Sequence, residues 1–265
     1  MEKIQSAIAK ARARRQASGA GVARLSPPGV DAAWSALKET RLVTRDLRRN
    51  RIFADHGCAE STPFDMLRTR MLRQMRAEKW RRVAITSPHP GCGKSTVAAN
   101  LALSFARQPD IRTVLCEIDM RRPSLARLLG VWAPPQFSRV LAGEETPEDH
   151  LLRVGENLAL ALNAEPVSGA SEMLQAPSLP QTLDRIERLL APSVVLFDLP
   201  PMLRSDDAMA FLDKVDCALL VAEADVTTID DIDRCERELA EQTNVLGVVL
   251  NKLRHHEANG YGYGD

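Results

Sequence analysis

The sequence is poor in aromatic residues, in paired cysteines and in long apolar runs. Aromatic side chains make up only 4% of the 265 residues. The five cysteines are scattered and include no Cys-x-x-Cys pair, which argues against a disulfide framework and against a zinc site. No apolar run reaches the roughly eighteen residues of a spanning helix, and no signal-peptide apolar segment follows the basic N-terminus. We therefore expect a cytoplasmic chain with reduced thiols.

The net charge is zero, but the two signs are unevenly distributed along the chain. Residues 1–82 contain 19 Lys and Arg against 8 Asp and Glu, whereas residues 83–265 contain 16 against 27. A basic leader on an acidic body predicts contact with anionic lipid, with an acidic partner or with a neighbouring copy. The alternative is a solvated leader that needs no partner.

An alternation of strand-like and helix-like segments begins at Val83. It predicts an α/β fold, a mostly parallel twisted sheet flanked by helices, with ligand sites at the carboxyl ends of the strands. A helical pattern around Met66–Met75 precedes the first strand. The predicted strands are Val83–Thr86, Val114–Ile118, Leu158–Leu162, Val194–Phe197, Ala218–Ala222 and Gly247–Leu250. The predicted helices among them are Ser95–Arg107, Pro180–Leu190, Asp207–Lys214 and Ile229–Glu241.

The segment after the first predicted strand has the composition of a phosphate-binding loop. It reads Ser87-Pro88-His89-Pro90-Gly91-Cys92-Gly93-Lys94-Ser95-Thr96 and leads directly into a helix. Backbone N–H groups and the helix dipole can cradle phosphates there, while Lys94 reaches the β/γ-phosphates and Ser95 offers a hydroxyl to Mg²⁺. ATP and Mg²⁺ are therefore the predicted cofactors. The predicted nucleotide-binding residues of this loop are Gly91, Cys92, Gly93, Lys94, Ser95 and Thr96.

Three acidic residues lie at the ends of two other predicted strands. Glu117 and Asp119 occupy alternate positions, so both side chains are expected on one side of the strand, where such a pair can order Mg²⁺ and accept a proton. Asp198 closes an aliphatic strand, as the Mg²⁺-facing acid of a P-loop enzyme does. Lys94, Glu117, Asp119 and Asp198 are the candidate catalytic residues, and Ser95, Asp119 and Asp198 the candidate metal ligands.

These motifs resemble those of the bacterial tyrosine autokinases of capsule and exopolysaccharide synthesis. Thr86–Ala102 is similar to that family's Walker A motif, Glu117–Pro123 to its second acidic motif and Val194–Pro201 to its Walker B motif. Ser205-Asp206 and the strand Leu246–Lys252 also match. The resemblance covers roughly residues 60–252. It implies three parts: a basic, partly flexible leader (1–59), a P-loop kinase domain of the deviant Walker, MinD/ParA-like type (60–252) and a tyrosine-bearing tail (253–265).

The resemblance also implies further site residues and partners. An asparagine in the place of Asn251 contacts adenine in the wider class of related ATPases. Tyr261 and Tyr263, the only tyrosines of the chain, are the expected phosphate acceptors, because glycines on either side give the tail backbone freedom. The implied partners are a membrane-embedded polysaccharide co-polymerase or adaptor, other copies of the chain and a cognate tyrosine phosphatase, with no nucleic acid.

Several positions depart from the family pattern. Pro88 stands where the phosphate loop usually begins with glycine, and Glu117 where the acidic motif usually begins with aspartate, so the base is either Glu117 or Asp119. Asp65 and Arg68 match only part of the oligomerisation helix. Two other readings stay open: a MinD/ParA-like switch ATPase, whose signature lysine would replace His89, and a nucleotide-binding assembly subunit with feeble catalysis.

Overall fold

The structure, a computed structural model, describes residues 29–253. The predicted acceptors Tyr261 and Tyr263 lie outside the described residues, as do residues 1–28 of the basic leader. Within residues 29–253, no helix combines the length and apolarity needed to cross a membrane.

Eight strands form one sheet, in the order β1-β4-β5-β3-β6-β2-β7-β8. Every neighbouring pair is parallel except β4 and β5, which form an antiparallel hairpin. This confirms the mostly parallel sheet. The strands are β1 Lys38–Glu39, β2 Arg82–Thr86, β3 Thr113–Glu117, β4 Leu152–Val154, β5 Leu158–Ala161, β6 Val194–Asp198, β7 Cys217–Glu223 and β8 Asn244–Asn251.

Helices cover both faces of the sheet. On one face lie α1 Val30–Ala36, α6 Phe137–Leu141, α8 Ala170–Leu174, α9 Leu179–Leu190, α10 Met209–Leu212 and α11 Ile229–Ala240. On the other lie α2 Thr44–Arg49, α3 Thr62–Glu78, α4 Lys94–Ala106 and α5 Leu125–Leu129. The short helix α7 Pro147–His150 precedes β4.

The period-two alternation of the strands explains this layering. Val83 and Ile85 pack into the core on the α4 side, whereas Ala84 packs into the opposite core. Because helices cover both faces of the sheet, the strand sequences are continuous aliphatic runs. All six predicted strands are confirmed. The predicted helices are also confirmed, although α10 is shorter than expected.

The described residues before α3 pack into both cores, although sequence analysis assigned no secondary structure to them. The Trp34 side chain is 2% exposed, and its indole N–H donates to the Leu190 carbonyl at 2.7 Å. Ile52 is fully buried on the other face. The buried Asn100 of α4 holds this segment by accepting hydrogen bonds from the N–H groups of Phe53 (2.8 Å) and Ala54 (3.2 Å). The division of the chain at residues 59 and 252 stays a prediction.

Candidate functional site

The phosphate-binding loop connects β2 to α4 and depends on two glycines. Gly91 and Gly93 both have φ of +92°, a left-handed conformation that favours glycine. A Cβ atom at Gly93 would also lie 2.3 Å from Nδ2 of Asn251. That amide donates a hydrogen bond to the Cys92 carbonyl at 2.9 Å, so the end of β8 supports the loop from behind.

The loop is also fastened to the segment that follows β6. The N–H groups of Met202 and Leu203 donate to the carbonyls of Ser87 (2.8 Å) and Pro88 (3.1 Å). Pro88 therefore uses its carbonyl, and the N–H that proline lacks is not needed in this contact. The departure from the usual glycine is compatible with the loop geometry.

Lys94 lies at the start of α4 between two carboxylates. Its Nζ is 2.7 Å from Oδ2 of Asp119, 3.4 Å from Oδ1 of Asp198 and 3.3 Å from Oγ of Ser95. Burial alone would lower the pKa of Lys94, but Asp198 and Asp119 raise it above the usual value, so the amine stays charged. Burial raises the pKa of Asp198, and Lys94 opposes that shift. These three groups form the electrostatic centre of the site.

One oxygen of this cluster fits a metal ion. Oδ2 of Asp198 is buried and has no hydrogen-bond partner among the residues that the structure describes. A buried acceptor without a partner is rare and needs an explanation. Mg²⁺ prefers oxygen ligands, and at nucleotide sites it is held by one or two carboxylates together with phosphates. The free oxygen of Asp198, the Ser95 hydroxyl and the Asp119 carboxylate, all beside Lys94, together form a donor set that suits Mg²⁺.

The two acids of the second motif do different things. Glu117 is fully buried, and its carboxylate accepts three backbone hydrogen bonds, from Ser124 (2.5 Å), Leu125 (2.7 Å) and Asn163 (2.9 Å). It thereby caps the start of α5 and ties it to the segment after β5. Burial raises the pKa of Glu117 to about 7, although these hydrogen bonds oppose the shift. The side chain is not part of the cavity lining.

Glu117 and Asp119 share one side of the sheet, as expected. Cys116, Ile118 and Met120 pack into the core opposite α4, whereas Glu117 contacts the start of α5 and Asp119 contacts Lys94 of α4. Strand β3 ends at Glu117, and the N–H groups of Ile118 and Asp119 both donate to the Asp198 carbonyl, at 2.9 and 3.0 Å. These bonds hold the chain against β6 just beyond the end of β3. Only Asp119 reaches the cavity.

A cavity of about 500 Å³ lies in front of the loop. Of the predicted site residues, it brings together Gly91, Gly93, Lys94, Ser95, Thr96 and Asp119. Asp198 lies behind Lys94, whereas Cys92 is buried with its Sγ 3.9 Å from Oγ1 of Thr227.

Sequence reasoning did not assign a role to four arginines of the cavity lining, Arg121, Arg122, Arg127 and Arg204. Arg121 and Arg122 follow the second acidic motif directly, and that position was the available signal.

His89 occupies the position where switch ATPases carry their signature lysine. Its Nε2 lies 3.2 Å from Oδ2 of Asp231, which belongs to the capping box of α11. Hydrogen bonds from Thr228, and then from His89, lower the pKa of Asp231. In the structure, His89 thus contacts the start of α11.

Fold and site together define a P-loop NTPase. The sequence matches the family described as "ParA: NUBPL iron-transfer P-loop NTPase" over residues 79–259. Because the match spans more than half of the chain, the protein belongs to this family of ParA-type P-loop NTPases.

Individual relatives point to one branch of the class. The chain is 28% identical to the tyrosine-protein kinase YwqD of Bacillus subtilis over 193 residues, 72% of this chain and 78% of that protein. It is 30% identical to the succinoglycan biosynthesis transport protein ExoP of Rhizobium meliloti, but spans only 23% of that longer protein. The kinase domain of the Escherichia coli tyrosine kinase ETK superimposes with a TM-score of 0.67 at 26% identity, covering 77% of this chain and 81% of that one. These similarities confirm the resemblance to bacterial tyrosine kinases.

Proposed function

We propose that this protein is an ATP·Mg²⁺-dependent protein-tyrosine autokinase that regulates exopolysaccharide or capsule polymerisation and export. The observation that carries the proposal is the contact of Lys94 with Asp119 and Asp198 at the head of a phosphate-binding loop. The similarity to named tyrosine kinases over most of the chain favours a protein acceptor over simple hydrolysis.

The residues of the loop hold the nucleotide in this proposal. Bound ATP supplies the phosphoryl group, and Mg²⁺ neutralises charge on the phosphates. The backbone N–H groups of the loop from Gly91 to Thr96 bind the phosphates, and Lys94 adds a positive charge that stabilises the transition state. Ser95, Asp119 and Asp198 hold the metal. Asn251 supports the loop and lies at the predicted adenine-binding position.

Asp119 is the proposed proton acceptor, because it is the acid of the second motif that lines the cavity. It takes the proton of the attacking tyrosine hydroxyl. Glu117, whose carboxylate binds three backbone N–H groups, positions the adjoining segment instead. Tyr261 and Tyr263 are the proposed acceptors, since both follow the folded domain in a glycine-rich stretch.

A membrane-embedded co-polymerase or adaptor is the proposed activator. In ExoP the region similar to this chain is about a quarter of a longer transport protein, which supports a functional link between the two parts. We also propose a homo-oligomer, a cognate tyrosine phosphatase, and a location at the cytoplasmic face of the membrane through the adaptor. No nucleic-acid partner is proposed.

Phosphotyrosine formation tests the proposal. The purified chain would be incubated with ATP·Mg²⁺ and membranes that contain the polysaccharide-export proteins, and phosphotyrosine would be measured by immunoblot. Lys94→Ala serves as the inactive control, and membranes without the export proteins show whether an activator is needed. ATP hydrolysis by wild type without phosphotyrosine would instead favour the switch ATPase.

A further inference from the structure

The cavity in front of the phosphate loop has a second, strongly basic wall. The first wall consists of the loop and Asp119. The second is formed by the segment after β3 with α5 and by the segment after β6, which together contribute the four arginines. Among residues 29–253, Asp119 is the single acid that lines the cavity.

Three of these arginines carry unmatched charge. Arg121 is paired with Asp207 through two hydrogen bonds, at 2.5 and 3.0 Å. Arg122, Arg127 and Arg204 are exposed, and no carboxylate of residues 29–253 lies within ion-pair distance of them. Like charges that line one cleft focus an attractive potential on an anion.

The backbone that presents these arginines is held in place. The Arg122 N–H donates to Oδ1 of Asp119 at 3.2 Å. On α5, the Asn50 amide donates to the carbonyls of Arg127 (3.1 Å) and Leu128 (3.0 Å), while Glu117 caps the first turn. The basic wall is therefore fixed relative to the loop, whereas its guanidinium groups project from exposed side chains.

The proposed function assigns the phosphates to the loop N–H groups, Lys94 and Mg²⁺ and gives the arginines of this wall no role. A peptide whose tyrosine approaches Asp119 has to cross the same cavity. An acid two residues from that tyrosine lies about 7 Å further along an extended chain.

We infer that Arg122, Arg127 and Arg204 form a binding site for an acidic tyrosine peptide and so determine which tyrosines are phosphorylated. This inference rests on the proposed function. The chain's own tail has the required chemistry, because its two tyrosines lie between Glu257 and Asp265. Asp265 follows Tyr263 at a spacing of two.

Peptide binding tests the inference without requiring phosphoryl transfer. The probe is a fluorescein-labelled, C-terminally amidated peptide with the sequence of residues 258–265, compared with the same peptide ending in Asn instead of Asp. Affinity is measured by anisotropy with Mg²⁺ and a non-hydrolysable ATP analogue. The full-length host chain carries Tyr261→Phe, Tyr263→Phe, Glu257→Gln and Asp265→Asn, so that its own tail does not compete for the arginines.

The acidic peptide should bind on the order of tenfold more tightly than the Asn peptide. Arg122→Gln, Arg127→Gln and Arg204→Gln should each reduce this preference by about threefold, as expected for partly solvated ion pairs, and should affect a fluorescent ATP analogue less. Arg188→Gln, which removes an exposed arginine of α9, is the matched control and should change neither affinity. A peptide ending in Lys should bind better to Arg127→Glu than to the parent, which loss of structure alone would not produce.

Equal binding of the acidic and Asn peptides would overturn the inference, as would arginine variants that weaken only nucleotide binding. Failure of the proposed function looks different, because a chain that transfers no phosphate could still bind the acidic peptide through its arginines. Conversely, tyrosine phosphorylation without any charge preference would remove the inference alone.

Discussion

Replacing Glu117 by glutamine tests whether this carboxyl group holds the site together or takes part in the chemistry. Its three backbone hydrogen bonds join the end of β3 to α5 and to Asn163. Glutamine preserves the shape of the side chain but cannot ionise. The substitution removes the titration and, because the glutamine NH2 cannot accept from a backbone N–H, also at least one of these hydrogen bonds, a loss that does not vary with pH.

The size of the effect follows from the pKa of Glu117, which burial raises from 4.5 to about 7. A raised carboxyl pKa means that the stability contribution is fully present below pH 4.5 and is lost as the pH rises through about 7. Between pH 5.5 and 8.5, the loss occurs only up to the pKa of about 7, which is about 1.5 pH units. At about 1.4 kcal/mol per unit, this lowers the free energy of unfolding by about 2 kcal/mol. The free energy of unfolding of wild type should therefore fall by this amount relative to Glu117→Gln.

Urea unfolding followed by tryptophan fluorescence at several pH values measures this difference. Glu156→Gln, a matched change at an exposed turn, should follow wild type at every pH. Phosphotyrosine formation, measured on the same preparations, should fall less in Glu117→Gln than in Asp119→Asn. Parallel pH profiles for wild type and Glu117→Gln, combined with complete loss of phosphorylation, would refute the positioning role and favour Glu117 as the base.

Three other predictions concern the loop, the charge cluster and the N-terminal packing. Gly93→Ala should weaken binding of a fluorescent ATP analogue more than tenfold, because the added Cβ clashes with Asn251 and the backbone at this position is left-handed. Gly143→Ala is the control, since Gly143 also has a positive φ but open space around it. Unchanged binding by Gly93→Ala would contradict the loop geometry. Lys94→Ala should lower the phosphorylation rate by a factor of about 10² to 10³, measured by ³²P incorporation, and a wild-type rate would exclude its role at the phosphates. Trp34→Ala should cost about 3–5 kcal/mol of unfolding free energy in denaturant titrations, and a change below 1 kcal/mol would exclude Trp34 from the stable core.

Strong local patterns made the central sheet predictable from the sequence. The strands β2, β3 and β6 are short aliphatic runs buried on both faces, and the loop after β2 has glycines at the two positions that require positive φ. Strand β1 has only two residues and β4 only three, so neither reaches the roughly four residues over which alternation becomes recognisable. The pairing of β1 with β4, in which Lys38 lies opposite Leu152, also joins residues that are distant in sequence.

The site was predictable only where residue type determines role. Lys94 and Asp198 lie together because the carboxyl ends of the neighbouring strands β2 and β6 meet at the same edge. Asp119 reaches the cavity and Glu117 does not, because β3 ends at Glu117 and α5 packs against its carboxylate, and no residue type marks those points. The basic wall assembles from segments about 80 residues apart, Arg122 and Arg204, and only the folded chain brings them to one cavity.

The most direct test of the account is to locate phosphate on the tail by mass spectrometry. The wild-type chain would be incubated with ATP·Mg²⁺ and its activating membranes, alongside the Tyr261→Phe/Tyr263→Phe double variant. The account predicts phosphate on Tyr261 or Tyr263 of wild type, whereas the double variant hydrolyses ATP but incorporates none. Hydrolysis with an unmodified wild-type tail would contradict the kinase assignment.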